Sequence, residues 1–420
     1  MHRAFSEMPR GVDHCGPPGA YHHPPDLQGW AILHNPQHLL PLLPDLNPDN
    51  VERDQPVKFR CERDVLDRAF SIARRAVSGR GGSLPVLSGL HLQLVGDRLT
   101  VTGSDLDLTI RVKATVGGDG DGSVVLSAQL GSDIVRAMDS GQIEFSVGDD
   151  GASLVSGRSD FSLRVMSADE YPRFDEPGGD SVTLDALVVS AALDQVVKAA
   201  SVDDARPILT GVLMAAEEDG LRFVATDSYR LAVSDLPGTS ILGRDQTVLV
   251  PSRALDAVAR VLGDASDLTI ILGERDASFV IDDVQIVTRL IEGEFPNYRG
   301  LIPVDHPNSL VVDRQALLEA VRRVGILARD STPVRLAMSS EGLELVAITQ
   351  DVGQARETLD ADYTGSDLTV AFNPEYLVDG LEASPGDEVR LETIDSLKPA
   401  ILRSTGDDQF LYLLMPVRVS

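Results

Sequence analysis

Apolar residues along this chain follow two periods, one typical of helices and one typical of short strands. Apolar residues three and four positions apart predict amphipathic helices, and alternation with polar residues predicts half-buried strands. After a short strand near Lys58, the first helical face consists of Val65, Leu66, Ala69, Phe70, Ala73 and Val77. A second helix is predicted at about 128–138, and strands at 89–94, 99–102, 106–112, 143–147, 152–156 and 161–166. This order predicts an α+β domain with two helices on one side of an antiparallel sheet.

The same order of elements recurs twice more downstream. Leu84-Pro-Val-Leu-Ser-Gly-Leu is similar to Arg206-Pro-Ile-Leu-Thr-Gly-Val, with Leu87 and Leu209 122 positions apart. A repeat of this length is a small domain with its own core, because solenoid units are only roughly 20–50 residues long. The later helices are predicted at 186–200, 253–262, 314–328 and 374–382, and the three domains at 58–180, 181–304 and 305–420.

The first 57 residues differ from the three repeats in composition. They contain 10 of the 24 prolines and 6 of the 8 histidines. A Pro-rich segment without apolar periodicity predicts a disordered extension. His22, His23 and His34 lack the Cys/His spacing of a metal site, so we predict no metal there.

The charge and cysteine content narrow the class of protein. A formal net charge of −28 favours solubility and argues against binding phosphate or anionic lipid by simple attraction. Cys15 and Cys61 provide neither a disulfide framework nor a metal spacing. No apolar run is long enough to span a bilayer, and the first residues lack the basic segment and apolar core that predict a signal peptide. We therefore expect a cytoplasmic protein that does not bind membranes.

Nothing in the three repeats predicts catalysis or a cofactor. His91 and His306 are far apart and lack the nucleophile and orienting group of a catalytic triad, so we expect both at the surface. Carboxylates at predicted strand ends are typical of Asp residues that cap their own backbone, but two-metal nucleases also use such groups. A metal-dependent nuclease is therefore the enzymatic alternative, and its candidate carboxylates are Asp105, Asp107, Asp227 and Asp283.

Two glycine-rich segments imitate ligand-binding loops. Gly79-Arg-Gly-Gly-Ser83 follows a helix and lacks the lysine of a P-loop, so it predicts a helix end and a loop. Gly117-Gly-Asp-Gly-Asp-Gly122 lacks the closing glutamate of a calcium loop, so it predicts a turn.

Six segments between Lys58 and the end of the chain carry a family likeness. They are Leu84-Pro-Val-Leu-Ser-Gly-Leu, Thr102-Gly-Ser-Asp-Leu-Asp-Leu, Ala225-Thr-Asp-Ser-Tyr-Arg-Leu-Ala, Phe295-Pro-Asn-Tyr-Arg, Phe372-Asn-Pro-Glu-Tyr and Leu414-Met-Pro-Val-Arg418. Together they resemble the bacterial β sliding clamps, which are processivity subunits of replicative DNA polymerase. The resemblance implies a three-domain clamp fold and a head-to-tail homodimer, in which domain 1 of each subunit meets domain 3 of the other in a closed ring.

The resemblance also implies the function and the partners. A clamp encircles duplex DNA without reading its sequence and tethers the DNA polymerase III alpha subunit or a C-type polymerase during replication. The clamp loader and repair polymerases would bind the same ring, which itself catalyses no reaction. Because topology retains the DNA, a ring does not need the strongly basic surface on which ordinary DNA binding depends.

The helices of each repeat would line the hole of the ring. Basic residues there would make weak, sequence-independent contacts with phosphates. The family's inner-surface arginine in the first loop aligns near Gly81, where the adjacent Arg80 would replace it. The predicted DNA-binding residues are Arg74, Arg75, Arg80, Arg136, Lys198, Arg206, Arg253, Arg260, Arg322 and Arg323.

A hydrophobic cleft between domains 2 and 3 is the second surface that the resemblance implies. In the family it accepts short partner peptides similar to Gln-x-x-Leu-Phe, for which an apolar pocket with few polar groups is suited. The corresponding residues here are Leu209, Thr226, Ser228, Tyr229, Arg230, Leu231, Pro296, Leu301, Asn373, Tyr376, Leu413, Met415, Pro416, Val417 and Arg418.

The chain departs from the family pattern at this cleft. Ser228-Tyr229 replaces the commoner Gly-His, Gly300 stands where some members have Arg, and Val419-Ser420 extend the end. These changes leave open a specialised second clamp, used in repair or drug tolerance. Gln37-His-Leu-Leu-Pro-Leu42 loosely resembles a partner peptide, which suggests the hypothesis that the extension occupies a cleft.

Overall fold

The structure, a computed structural model, describes residues 57–77, 84–174, 177–179, 181–244, 246–263, 265–328 and 332–418. The predictions for the extension before Val57, including its histidines and the segment 37–42, lie outside these ranges. The predictions for the loop 79–83, for Arg80 within it, and for Val419 and Ser420 also lie outside them.

The described part of the first domain has ten strands and two helices, most of them close to their predicted positions. They are β1 (Lys58–Glu62), α1 (Arg63–Ala73), β2 (Gly89–Val95), β3 (Arg98–Ser104), β4 (Leu108–Thr115), β5 (Gly117–Gly120), β6 (Gly122–Ser127), α2 (Ala128–Ala137), β7 (Gln142–Gly148), β8 (Gly151–Ser156), β9 (Ser159–Leu163) and β10 (Val165–Met166).

The second and third domains repeat this order. The second contains β11 (Ser181–Asp185), α3 (Ala186–Val196), β12 (Gly211–Glu217), β13 (Gly220–Thr226), β14 (Arg230–Pro237), β15 (Thr247–Pro251), α4 (Ser252–Leu262), β16 (Asp267–Leu272), β17 (Asp276–Ile281) and β18 (Val284–Arg289). The third contains β19 (Asn308–Asp313), α5 (Arg314–Gly325), β20 (Val334–Ser339), β21 (Gly342–Thr349), β22 (Gly353–Leu359), β23 (Asp362–Thr364), β24 (Leu368–Phe372), α6 (Pro374–Ala383), β25 (Glu388–Thr393), β26 (Ala400–Ser404) and β27 (Asp407–Leu414).

Polar residues at the ends of strands start most of these helices. The Asp185 carboxylate accepts hydrogen bonds from the backbone N–H groups of Leu187 and Val188, at 2.9 and 3.2 Å. Asp313 and Asn373 cap α5 and α6 in the same way. Each cap satisfies backbone donors that have no partner inside the helix, which fixes where the helix begins.

The strands form antiparallel sheets, two of which cross domain junctions. One nine-stranded sheet has the order β10-β6-β2-β3-β4-β18-β17-β16-β11, and the other has the order β15-β12-β13-β14-β27-β26-β25-β19-β23. The first junction is the β4–β18 pair, with Ile110 opposite Ile286, and the second is the β14–β27 pair, with Leu231 opposite Leu413. Backbone hydrogen bonds therefore join each domain to the next.

The two remaining sheets lie at the two ends of the repeat. Their orders are β5-β1-β7-β8-β9 in domain 1 and β22-β21-β20-β24 in domain 3. By its place in the repeat, β22 corresponds to β4 and β14, whereas β9 corresponds to β18 and β27. Both β9 and β22 are therefore edge strands of the kind that pair across the two junctions.

A continuous hydrophobic core lies between the helices and the sheets. Helix α1 buries Leu66, Ala69, Phe70 and Ala73 at no more than 1% exposure each. Gly103 of β3 lies directly under the end of this helix, so close that an added Cβ would overlap the backbone carbonyl of Ala73. The helical period therefore predicted the buried face of α1, apart from its two ends.

The structure corrects the predicted ends of the first helix and the bounds of two predicted strands. Val65 is 38% exposed, and Val77 lies beyond α1, because the helix ends at Ala73 and continues as a short 3-10 turn, Arg74–Ala76. The predicted strand at 161–166 is divided between β9 and β10. The strand predicted at 106–112 begins only at Leu108, because Leu106 has a φ of 85° and belongs to a turn. Ser228 and Asp351, in the corresponding turns of domains 2 and 3, have φ values of 80° and 61°.

The turn predicted for the segment 117–122 is also wrong. Gly117–Gly120 is strand β5, which pairs with β1 and places Gly118 opposite Phe59. The Asp97 carboxylate accepts a hydrogen bond from the Gly118 N–H at 3.0 Å, and an added Cβ at Gly118 would overlap the Gly96 backbone. The glycines thus permit a close approach between two backbones, which composition alone does not reveal.

Candidate functional site

A groove of about 1060 Å³ lies where the second and third domains meet. We call it the junction groove. Helices α5 and α6, the turn between β13 and β14, and the residues that follow β27 form it. Tyr229 and Met415 are 59% and 40% exposed, so the groove offers apolar side chains to a ligand. Six of the predicted cleft residues line it, namely Tyr229, Asn373, Tyr376, Met415, Pro416 and Val417.

Hydrogen bonds hold the turn at the rim of the junction groove in place. The Asp227 carboxylate accepts from the backbone N–H groups of Tyr229 and Arg230, at 2.8 and 3.0 Å. The Thr226 hydroxyl donates to the Arg230 carbonyl at 2.6 Å, and the Met415 N–H donates to the Tyr229 carbonyl at 2.9 Å. Because its donors and acceptors are used within the domain pair, the turn presents the exposed Tyr229 ring in a fixed place.

Arg230 lies behind the groove, and its side chain is only 11% exposed. Its Nε donates to the Asp227 carboxylate at 3.0 Å, and its Nη1 donates to Asp379 and, at 3.3 Å, to the Tyr412 hydroxyl. The guanidinium carbon is 4.4 Å from the centre of the Tyr376 ring, a cation–π distance. Burial alone would lower the pKa of Arg230, but Tyr412 and Asp379 outweigh it, so the pKa lies above its ordinary value. Arg230 is therefore a permanent positive charge that supports one wall of the groove.

Other predicted cleft residues are buried in the second domain and at its junction with the third. Leu231 and Leu413 face each other across the β14–β27 pair, are 1% and 3% exposed, and pack in one cluster with Tyr298. Leu209 and Thr226 are also buried. With exposures of 1% to 8%, these residues offer little surface to a ligand.

The structure places the rest of the predicted set elsewhere. Pro296 lines a separate cavity of about 920 Å³ together with Tyr298. Leu301 is 53% exposed on a 3-10 turn, and neither it nor the exposed Arg418 is among the residues that line the junction groove. Ser228 is exposed at the rim, where its φ of 80° is a conformation that favours glycine.

Ten further residues line the junction groove that the sequence did not predict as cleft residues. Asp379 lies three residues after Tyr376 in α6, and residues with this spacing share a helix face, so the helical period alone could have indicated it. The lining residues contributed by α5 and the following loop carry no such local signal. The residues missed are Val321, Arg322, Gly325, Ala328, Thr332, Pro333, Pro374, Glu375, Val378 and Asp379, of which Arg322 was predicted to bind DNA.

A smaller groove of about 690 Å³ occupies the corresponding place at the first junction. Its lining includes Asp107, Pro251, Arg253 and Arg289. Tyr229, Asn373, Glu375 and Met415 hold the corresponding positions in the junction groove. Charged residues therefore replace the exposed tyrosine at the first junction, and the second junction is the better apolar site.

Most residues predicted to bind DNA are already paired with carboxylates of the same chain. Arg80 lies outside the described ranges, and eight of the other nine form ion pairs while their side chains remain 35% to 59% exposed. The pairs are Arg74–Asp133, Arg136–Asp67, Lys198–Glu382, Arg206–Asp203, Arg253–Asp105, Arg260–Asp256, Arg322–Glu382 and Arg323–Glu357. Any phosphate contact must therefore compete with a neighbouring carboxylate.

At two of the predicted DNA-binding sites, several charged side chains lie close together. Burial, together with the nearby charge of Arg260, lowers the pKa of Arg75. Glu382 accepts a hydrogen bond from Lys198 at 2.6 Å and another from Arg322. The hydrogen bond from Lys198 holds the pKa of Glu382 below its usual range. One carboxylate is thus paired with two of the predicted DNA-binding cations.

The candidate catalytic carboxylates have structural partners. Asp105 caps the backbone of Asp107 and Leu108 and pairs with Arg253, whereas Asp283 accepts both hydrogen bonds of the Arg68 guanidinium, at 2.7 and 3.0 Å. Among the residues that the structure describes, no three His, Cys, Asp or Glu side chains are grouped to hold a metal ion.

The predicted surface positions of the two histidines are wrong. His91 stacks on Tyr171 with 5.0 Å between ring centres, and burial lowers its pKa. The His306 side chain is 9% exposed, with Nδ1 4.0 Å from the Glu392 carboxylate. Packing against distant residues, which the sequence does not reveal, covers the His91 ring in part and the His306 ring almost completely.

No helix in the described ranges has the length and apolarity needed to cross a membrane. The longest, α5, has 12 residues.

Comparison with known proteins gives the family. The models for the N-terminal, central and C-terminal domains of the DNA polymerase III beta subunit match residues 57–175, 183–297 and 299–418. The Streptomyces coelicolor beta sliding clamp is 34% identical over 381 residues, which cover 87% of this chain and 100% of that protein. The chain therefore belongs to the bacterial β sliding clamp family, whose members are processivity factors of DNA polymerase III.

Solved structures agree with this assignment. The DNA polymerase sliding clamp of Bacillus subtilis is 28% identical with a TM-score of 0.78. A DnaN sliding clamp of Bartonella birtlesii, crystallised with griselimycin bound, is 30% identical with a TM-score of 0.79. Each comparison covers 87% of this chain and 100% of the other. The three-domain clamp fold and the function of a sliding clamp in DNA replication are those of this family.

Proposed function

We propose that two copies of this chain form a closed ring that encircles duplex DNA and tethers a replicative polymerase to it. The ring itself catalyses no reaction and acts in the cytoplasm. Its partners are the DNA polymerase III alpha subunit or a C-type polymerase, the clamp loader and repair polymerases. We also propose the predicted domain limits, 58–180, 181–304 and 305–420, as the boundaries of the three modules in each subunit.

One observation carries this proposal. At both junctions, the third strand after the second helix of one domain pairs with the third strand after the first helix of the preceding domain, as β18 does with β4 and β27 with β14. The same two positions are left as edges at β9 in domain 1 and β22 in domain 3. A second copy supplies the missing partner at each end, so two head-to-tail contacts use every edge of this kind and the assembly closes.

The charge of the chain fits retention by topology. A protein that holds DNA by attraction neutralises many phosphates with unpaired cations. This chain has a net charge of −28, and its candidate cations are engaged with carboxylates. Weak and mobile phosphate contacts are what a ring that must slide along DNA requires.

The test is retention on circular DNA. The chain loaded by its clamp loader on a nicked circle is expected to stay bound through gel filtration and to be lost after the circle is linearised. Its solution mass, measured by light scattering, should be that of a dimer. A monomeric particle, or equal loss from circular and linear DNA, would contradict the ring.

The junction groove is the proposed site for partner peptides, and Met415→Ala tests it. Met415 lines the groove and is partly exposed, so its truncation should weaken binding of a labelled Gln-x-x-Leu-Phe peptide about tenfold, the effect expected of an anchor contact. Fluorescence anisotropy measures this. Ile348→Ala, at a 50% exposed apolar residue of β21 outside the groove lining, is the matched control and should leave peptide affinity unchanged.

Leu413 should not be changed in the same experiment. It is 3% exposed, and its truncation would cost about 2–5 kcal/mol of stability. Loss of peptide binding would then report on folding. Equal peptide affinities of Met415→Ala and the unaltered chain would overturn the groove assignment.

A specialised second clamp is the other candidate, and the rim of the groove favours it. Ser228 takes a left-handed conformation there, and Tyr229 presents its ring to solvent. A rim of this shape changes which peptides bind well without removing the pocket. Failure of the chain to support processive synthesis by the replicative polymerase, while it binds repair polymerases, would favour this alternative.

A further inference from the structure

A chain of alternating charges connects the junction groove to the predicted DNA-binding helices. It begins at the rim turn, where Asp227 binds both the turn backbone and the Arg230 guanidinium. Arg230 reaches from there to Asp379 on α6. No sequence motif predicts this connection, because its members come from four separate parts of the chain.

Asp379 is the point at which two sets of contacts meet. Its Oδ2 accepts the hydrogen bond from Arg230 Nη1, and its Oδ1 is 3.9 Å from the Lys198 ammonium. Lys198 in turn donates to Glu382, one helical turn further along α6, at 2.6 Å. Glu382 also accepts a hydrogen bond from Arg322 of α5. The order along the chain of charges is therefore Asp227, Arg230, Asp379, Lys198, Glu382, Arg322.

Arg230 is the member that shapes the groove. Its guanidinium stacks on Tyr376, which lines the groove, and the Tyr412 hydroxyl beside it donates to the Tyr376 carbonyl at 3.0 Å. A change in how firmly Asp379 holds Arg230 therefore changes how firmly the Tyr376 wall is held. Lys198 and Arg322, at the other end, belong to the residues predicted to contact phosphate, and Arg322 also lines the groove.

We propose that Asp379 is a positioning residue for the junction groove, and that through Lys198 it couples peptide binding in the groove to DNA in the ring. This rests on the proposed function of the chain. When a phosphate attracts Lys198, Asp379 loses a competing cation and its carboxylate is left to Arg230 alone. Arg230 then holds the Tyr376 wall more firmly, and a preordered groove binds a peptide more tightly.

Coupling of this kind is reciprocal. If DNA strengthens peptide binding, the peptide must strengthen DNA binding by the same factor. For contacts of this number and exposure, we expect each ligand to change the affinity for the other about three- to tenfold. The ring would thus release a partner more readily when it is free of DNA.

The experiment uses the full chain, a fluorescein-labelled Gln-Ala-Asp-Leu-Phe peptide and a short synthetic duplex at low ionic strength. Saturating duplex is expected to raise the peptide affinity of the unaltered chain about three- to tenfold. Asp379→Asn should lower peptide affinity and remove the effect of duplex, whereas Asp379→Glu, which keeps the charge, should restore part of both. Asp256→Asn removes a carboxylate paired with Arg260 on α4 and should change neither quantity.

A second variant is expected to change the peptide affinity in the opposite direction. Lys198→Met removes the competing cation, so it should raise peptide affinity about threefold without duplex and abolish any further increase with it. Lys198 is half exposed, so this variant is expected to fold even if Asp379→Asn does not.

The outcomes separate the coupling from the function on which it rests. Peptide binding by the unaltered chain that is equal with and without duplex overturns the coupling alone. A chain that binds no peptide under either condition overturns the groove assignment and the coupling with it. Unchanged peptide affinity in both Asp379→Asn and Lys198→Met overturns the positioning role.

Discussion

Replacing Glu382 by glutamine is expected to raise the affinity of the ring for duplex DNA about tenfold at 0.1 M salt. Glu382 accepts hydrogen bonds from both Lys198 and Arg322, so its neutral analogue releases two cations for phosphate contacts. Each new contact is worth up to about eightfold at this salt concentration, because log K changes by about 0.9 per decade of salt for each phosphate neutralised. The gain should fall short of the full product because Lys198 stays 3.9 Å from Asp379.

The salt dependence distinguishes this explanation from a general change in net charge. Binding measured by anisotropy between about 50 and 200 mM salt should show a slope steeper by one to two phosphate contacts. Glu218→Gln makes the same change in net charge at an exposed residue of the β12–β13 turn and should leave the slope unaltered. If Glu382→Gln keeps both the affinity and the slope of the unaltered chain, Lys198 and Arg322 do not face DNA.

Gly103→Ala is expected to lower the free energy of unfolding of the first domain by about 3 kcal/mol. An added Cβ at this position would overlap the carbonyl oxygen of Ala73 and lie 2.9 Å from its carbonyl carbon. These are backbone atoms at the end of α1, so no side-chain rotation relieves the overlap and the helix must move from the sheet. The denaturant midpoint of the domain 1 transition, followed by circular dichroism, measures the loss.

The matched control is another strand glycine of the same domain. Gly148 ends β7, and an added Cβ there would meet no atom within 4 Å. Gly148→Ala should therefore leave the midpoint nearly unchanged. Equal midpoints for the two variants would mean that the end of α1 does not pack directly against Gly103 of β3.

The helices were predictable because each carries a periodic apolar stripe. The segments predicted at 253–262 and 374–382 correspond to Ser252–Leu262 and Pro374–Ala383. Capping residues next to the stripe, such as Asn373, add a second local signal. Strand pairing was harder to predict from the sequence. Strands β4 and β18 are neighbours although more than 150 residues separate them, and no local pattern indicates which strands will pair.

The same distinction applies to the candidate site, where local motifs predicted some residues and distant contacts determine the others. The residues of the rim turn and of the segment after β27 were found because short motifs carry them. Asp379 and Glu382 were not found, because their importance lies in which cations they meet, and those cations come from the 3-10 turn after α3, from α5 and from β14. The positions of the histidines were wrong for a similar reason, since His91 is covered by Tyr171, 80 residues later in the chain.

The two nine-stranded sheets, each of which runs through one junction, make the subunit mechanically stiff. Bending it between modules would strain rows of backbone hydrogen bonds at β4–β18 and β14–β27, where an ordinary interdomain hinge has a flexible linker. A ring built from such subunits has its soft points where one polypeptide ends and the next begins. Admission of a DNA strand should therefore proceed by parting a seam between subunits, with little distortion inside either one.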